Sequence, residues 1–173
     1  MIAKQSDIRA VVTTGIQPGQ EAFMARTKSK AACKVVGIDH ISIRVSDYGK
    51  SKAFYGKLFD FLGFEISDEY PETIGWTNGS TRYWIAPAEG RKTYRIGDVG
   101  LHHYAFELRN RKDVDALQAF LEREGVRIVD PADEYYEDYY AVFFLDPDGI
   151  KLEGMKYGEL TAKRKRKSLK KKG

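Results

Sequence analysis

An α+β domain built from two tandem β-α-β-β-β modules, forming one curved mixed sheet with a concave metal cleft, is the architecture this 173-residue sequence predicts. Two observations carry that prediction. The first is an internal repeat: Gly37-Ile38-Asp39-His40-Ile41-Ser42-Ile43-Arg44-Val45 returns 63 residues later as Gly100-Leu101-His102-His103-Tyr104-Ala105-Phe106-Glu107-Leu108. Both copies place a glycine three positions before a histidine. The second is that the same order of helix and strand signals follows each copy. Residues after each histidine alternate as in a half-buried strand, with Ile41, Ile43 and Val45 on one face and His40, Ser42 and Arg44 on the other. Tyr104, Phe106 and Leu108 oppose His103, Ala105 and Glu107 in the same way. If the modules pack about a pseudo-twofold axis, His40 and His103 meet in one cleft, the beginning of a metal site.

In the first module, residues 38–45 form the opening strand and Ser46-Asp47 starts a helix. Ala53, Phe54, Leu58 and Leu62 recur at helical spacing, and Gly63 stops the helix. Strands follow near 65–67, 73–77 and 82–86, with Asn78-Gly79 turning between the last two. The second module repeats the order: a strand at 102–108, a helix at 112–123 with Val114, Leu117, Phe120 and Leu121 inward, and Gly125 as its stop. Its later strands fall near 126–130, 139–145 and 150–155. Asp146-Pro147-Asp148-Gly149 forms the turn between the last two, with proline preset for the bend. The modules thus span 36–96 and 97–158 of a domain at 35–158.

Outside that domain the patterns fade. Residues 1–34 show no sustained period and carry Gly15, Pro18 and Gly19, the marks of a poorly ordered extension. Residues 159–173 read as a basic disordered tail. Eight lysines and arginines fall in 163–173 without an acid, leaving 21 basic and 25 acidic side chains elsewhere, a formal charge of −4. The overall charge of +4 is therefore a property of the tail. Such a run repels itself and solubilises; its contact with nucleic acid or other anions would be weak and nonspecific. The lone Cys33 cannot pair within the chain, which favours a reducing, cytoplasmic setting. No apolar run approaches the roughly 20 residues of a membrane span.

The strands His-Ile-Ser-Ile-Arg-Val and His-Tyr-Ala-Phe-Glu-Leu, with Asp-Pro-Asp-Gly-Ile-Lys-Leu-Glu at 146–153, resemble the vicinal-oxygen-chelate superfamily. It includes glyoxalases, bleomycin-resistance proteins, extradiol dioxygenases and fosfomycin-resistance enzymes. The resemblance covers about 36–157. It implies that His40 and His103, from the first strand of each repeat, and Glu153, from the last strand of the second, hold a divalent metal. Two imidazoles and a carboxylate leave open positions for two adjacent substrate oxygens; iron, manganese, zinc and nickel all accept that set. Strand parity selects His103 over His102.

Departures from the family's patterns narrow the chemistry. Glyoxalases place a glutamate ligand at the end of the first repeat, where Thr81-Arg82-Tyr83-Trp84-Ile85-Ala86 has no carboxylate; Tyr83 or Trp84 takes its place. Extradiol dioxygenases carry Tyr-x-x-Asp-Pro where this chain has Phe143-Phe144-Leu145-Asp146-Pro147, and a further histidine that is absent here. Lyase, isomerase or thiol-transferase chemistry on a small oxygenated substrate is thereby favoured over extradiol cleavage. The alternative is a non-catalytic, bleomycin-resistance-like binder of drugs or other small molecules. Family likeness also implies a homodimer.

Arg44 and Glu107 hold equivalent positions in the repeats and are expected to approach one another. They would pair as structural ions, or Arg44 would orient an anionic substrate group while Glu107 acts as general base. The aromatic run 135–144 is expected to arch over the pocket as a lid or wall before entering a strand, with Tyr140 as a candidate catalytic phenol. Alternation separates Tyr140, Val142 and Phe144 from Tyr139, Ala141 and Phe143, and at least one of these sets is core. Trp76, Tyr83 and Trp84 are candidates for the opposite wall.

Overall fold

The computed structural model describes residues 35–90 and 93–162, so the N-terminal extension and the run 163–173 lie outside the described residues. Eight strands and two helices follow in the expected order: β1 (His40–Val45), α1 (Tyr48–Leu62), β2 (Glu65–Tyr70), β3 (Thr73–Thr77) and β4 (Arg82–Pro87) make the first module. The second contains β5 (His103–Glu107), α2 (Arg111–Arg123), β6 (Ile128–Tyr136), β7 (Tyr139–Leu145) and β8 (Lys151–Tyr157). Hydrogen bonding groups them into two four-stranded mixed sheets, β1-β4-β3-β2 and β5-β8-β7-β6, one per module rather than the one continuous sheet expected, because among the described residues no strand of one module pairs with a strand of the other. In each sheet the opening strand lies parallel to the last strand of its module.

Local chemistry accounts for the helix boundaries. Asp47 has extended backbone angles, and its carboxylate accepts the Lys50 N–H, capping α1. Asn110 does the same for α2 through the Asp113 N–H. The turn after β7 is built around buried Asp146, whose Oδ1 accepts the N–H groups of Asp148 and Ile150, while Gly149 takes a φ of 85°.

One core serves both modules. Tyr55, Leu58 and Phe59 on α1 pack with Ile74, Trp76, Tyr83 and Ile85, and the same cluster contains Val114, Leu117, Leu121, Val142, Phe144 and Leu152. Aromatic contacts join the halves: Phe61 stacks on Phe120 with centroids 4.4 Å apart, and Phe59 meets Phe106 edge-on at 6.1 Å. A polar chain crosses the same seam. The Tyr55 hydroxyl donates to Asp146 at 2.7 Å and lies 3.3 Å from that of Tyr104, which also hydrogen-bonds Tyr83. Burial pushes the Tyr55 and Tyr104 phenols well above their usual pKa and raises the Asp146 carboxyl.

The run expected to arch as a lid is instead largely strand. Residues through Tyr136 belong to β6, and Glu137-Asp138 turn directly into β7, with Asp138 at a φ of 58°. The reason is a set of anchors that sequence periodicity does not reveal. Arg111 reaches Glu134 and Asp138 from α2, and the Asp138 carboxylate accepts the N–H groups of Leu160 and Thr161. Those bonds cap a helical stretch at 159–162, where the sequence suggested the start of a disordered tail.

Burial opposes ionisation of Asp138, but the backbone donors at Thr161 and Leu160 and the Arg111 guanidinium prevail, bringing its pKa down to about 2. A depressed folded-state pKa gives stability above the unfolded value, near 4, that is lost as pH falls through the folded value. Denaturant titrations of wild type and Asp138→Asn should therefore differ at pH 6 and converge between pH 4 and 2. A constant difference across that range would contradict the assignment.

Candidate metal centre

Parity and register build the face of the second module that carries His103 and Glu153. Parallel pairing sets Ala105 beside Glu153 and His103 beside Lys151, and antiparallel pairing sets Phe143 across from Glu153. Tyr104 and Phe106 pack against the core, so His103 faces the other way. Glu153 is 1% exposed. Its Oε2 lies 3.1 Å from His103 Nε2, and its Oε1 accepts the Tyr139 hydroxyl at 2.5 Å. Among the described residues no lysine or arginine pairs with this buried carboxylate. Burial and the bond to Glu153 both push the Tyr139 phenol upward, holding it as a proton donor.

Oxygen and nitrogen at that separation require something positive between them, either a proton on Nε2 or a cation. Two cis ligands about 2.1 Å from one metal would stand about 3 Å apart, so the pair fits the edge of a coordination sphere. The other ring nitrogen of His103 faces His102 Nδ1 at 2.6 Å. Donation from His103 to His102 would leave Nε2 free as a ligand, a common second-shell arrangement.

His40 is not part of this pair. It is exposed on β1, 2.9 Å from Asp39, which also contacts Arg82 at 3.2 Å. The His40 hydrogen bond, followed by the Arg82 charge, lowers the Asp39 pKa. Among the described residues no group of three His, Cys, Asp or Glu side chains is placed to hold a metal. The physical reason is the shared core. Ile41, Ile43 and Val45 pack into it from β1, as Tyr104 and Phe106 do from β5, so both histidine-bearing faces turn away from the seam.

Register also settles what stands opposite Glu153 in the repeat. β4 sets Trp84 beside Ser42, as β8 sets Glu153 beside Ala105, whereas Tyr83 is buried in the core like Leu152. Trp84 lies flat across Gly75: a Cβ built there would be 2.7 Å from the indole. Gly75→Ala should displace the ring, shift tryptophan emission and cost about 1–3 kcal/mol by overpacking. An unchanged emission spectrum and melting temperature would show that the indole is not pinned there.

The remaining candidates fall elsewhere. Arg44 contacts the Pro87 carbonyl and Glu89, while Glu107 pairs with Lys156 at 2.7 Å; the expected Arg44–Glu107 approach does not form within the chain. Each has an opposite charge nearer at hand in its own module. Tyr140 faces α2, where its hydroxyl donates to Asp115 at 2.7 Å and Arg111 lies over its ring. That bond and partial burial raise its pKa to about 12. Tyr139, which sequence reasoning left among the wall residues, is the phenol at Glu153. Its shared parity with Phe143 was the available signal.

The sequence model described as the glyoxalase/bleomycin resistance protein/dioxygenase superfamily matches residues 37–153. The chain belongs to that superfamily. Superfamily relatives include the uncharacterized protein YaeR of Escherichia coli, 34% identical over 67% of this chain and 92% of that protein. The glutathione transferase FosA of Serratia marcescens is 30% identical over 73% of this chain and 84% of its own. The solved glyoxalase family protein from Enterococcus faecalis superposes with a TM-score of 0.55 at 26% identity, covering 69% of this chain and 97% of that one. The superfamily match ends at Glu153, the buried carboxylate beside His103.

Proposed function

We propose that this protein is a divalent-metal-dependent enzyme acting on a small oxygenated substrate, with His103 and Glu153 of one copy and His40 of a second completing the ligand set. The observation that carries this reading is the buried Glu153 carboxylate, paired with an imidazole at cis-ligand spacing and lacking an arginine or lysine partner among the described residues. Likeness to FosA, a glutathione transferase, and to FosB of Bacillus licheniformis, a metallothiol transferase, supports metal-assisted thiol transfer among the lyase, isomerase and thiol-transferase chemistries open to this ligand set. Phe143 opposite Glu153 speaks against extradiol cleavage, since a phenyl ring can neither hydrogen-bond a catecholate nor move its proton.

When bound, the ion would act as a Lewis acid on adjacent substrate oxygens. The chain's own contribution is positional. Glu153 offers Oε2 while Tyr139 holds Oε1, and the Trp84 indole supplies an apolar surface on the other module. A second copy is invoked because, among the described residues, His40 pairs with Asp39 and joins no metal-holding group with His103 and Glu153 within one chain.

Elemental analysis of protein purified without a nickel column, then incubated separately with manganese, zinc, iron and nickel and desalted, tests the reading. Wild type should retain stoichiometric metal that both Glu153→Ala and His40→Ala lose. Metal-free wild type under every condition, or full retention by Glu153→Ala, would sink it.

A further inference from the structure

A cavity lies between α1, the end of α2 and the turn preceding β8, and neither His103, Tyr139 nor Glu153 lines it. Its volume is about 410 Å³, within the range of small-molecule sites. Phe54, Leu58, Phe120, Val126 and Leu145 give it an apolar floor. Charged side chains line it unevenly. Lys57 is matched by Glu124 at 2.8 Å, and Asp146 is already satisfied by Tyr55 and two backbone donors. Lys50 and Arg127 are left: both line the cavity, both are exposed, and among the described residues neither forms an ion pair.

We propose that this cavity binds an organic monoanion with an apolar body, such as a medium-chain or aryl carboxylate, its carbon skeleton on the floor and its carboxylate between Lys50 and Arg127. Apolar walls favour the body by removing it from water, and the two cations select an anion over a neutral or cationic amphiphile. A compact inorganic anion would leave the floor unfilled. Since Asp146 and Pro147 form one wall, the occupant would touch the turn that leads into β8 and Glu153. This site is independent of the metal reading.

Calorimetric titration with sodium octanoate, kept below its micellar range, tests the proposal on the full chain. Wild type should bind one equivalent, and 1-octanol or octyltrimethylammonium should bind at least tenfold more weakly. The Lys50→Ala/Arg127→Ala variant should lose about tenfold in affinity, and Ala53→Trp, which places bulk at the lining, should abolish binding; near-native circular dichroism and melting of each variant are checked first. No saturable heat with wild type, equal binding of octanol, or undiminished affinity in either folded variant would overturn the proposal. Loss of metal binding through Glu153→Ala should leave octanoate binding unchanged, so this inference and the metal-site reading fail separately.

Discussion

Mixing His40→Ala protein with Glu153→Ala protein should restore metal binding that neither variant has alone. If each site takes His40 from one copy and His103 with Glu153 from another, a mixed dimer carries one intact site and one doubly broken one. Random exchange between equal amounts should recover roughly a quarter of the wild-type sites, as two-fold symmetry dictates. Elemental analysis after mild denaturation and refolding of the mixture reads this directly. The expectation comes from the positions of the three residues: His103 and Glu153 are 3.1 Å apart, while His40 faces away from the common core beside Asp39. Recovery indistinguishable from zero, with both singles folded and wild type metal-replete, would mean that the ligands do not come from two copies.

Tyr139→Phe should weaken metal binding by about 10–100-fold while leaving the fold intact, the usual effect of removing a group that orients a ligand. The hydroxyl donates to Glu153 Oε1 at 2.5 Å, so its loss leaves half of a buried carboxylate unsatisfied and free to turn. Tyr140→Phe is the matched control. Its hydroxyl bonds Asp115 on α2, so it should cost about 1 kcal/mol of stability and nothing in metal affinity. Competition against a chelator of known affinity measures both. Equal effects of the two substitutions would remove Tyr139 from its positioning role.

The order of elements was legible because helix and strand periods, caps and turns are local. Asp47 caps α1 and the Asp146–Gly149 turn sits where its residues suggest. The boundaries that moved depend on distant partners: β6 extends to Tyr136, and residues 159–162 are helical, where Arg111, Glu134 and Asp138 meet. Tyr139 and Tyr140 show the same limit at the candidate site. Alternation placed them on opposite faces, but only the packing of β7 against α2 decided which phenol met Glu153.

Sequence alone determined the two modules, the equivalence of His40 and His103, and the imbalance between a repeat ending in Glu153 and one ending in aromatic residues. Tertiary structure decided that the last of these is Trp84, laid over Gly75, and that His103 and Glu153 form a pair without His40. The physical reason is that strand parity tells which side chains share a face, whereas the direction of that face depends on which surfaces the modules bury against each other. Here α1, β4 and β5 bury their apolar faces together, and the two histidine strands consequently present their polar faces away from the seam.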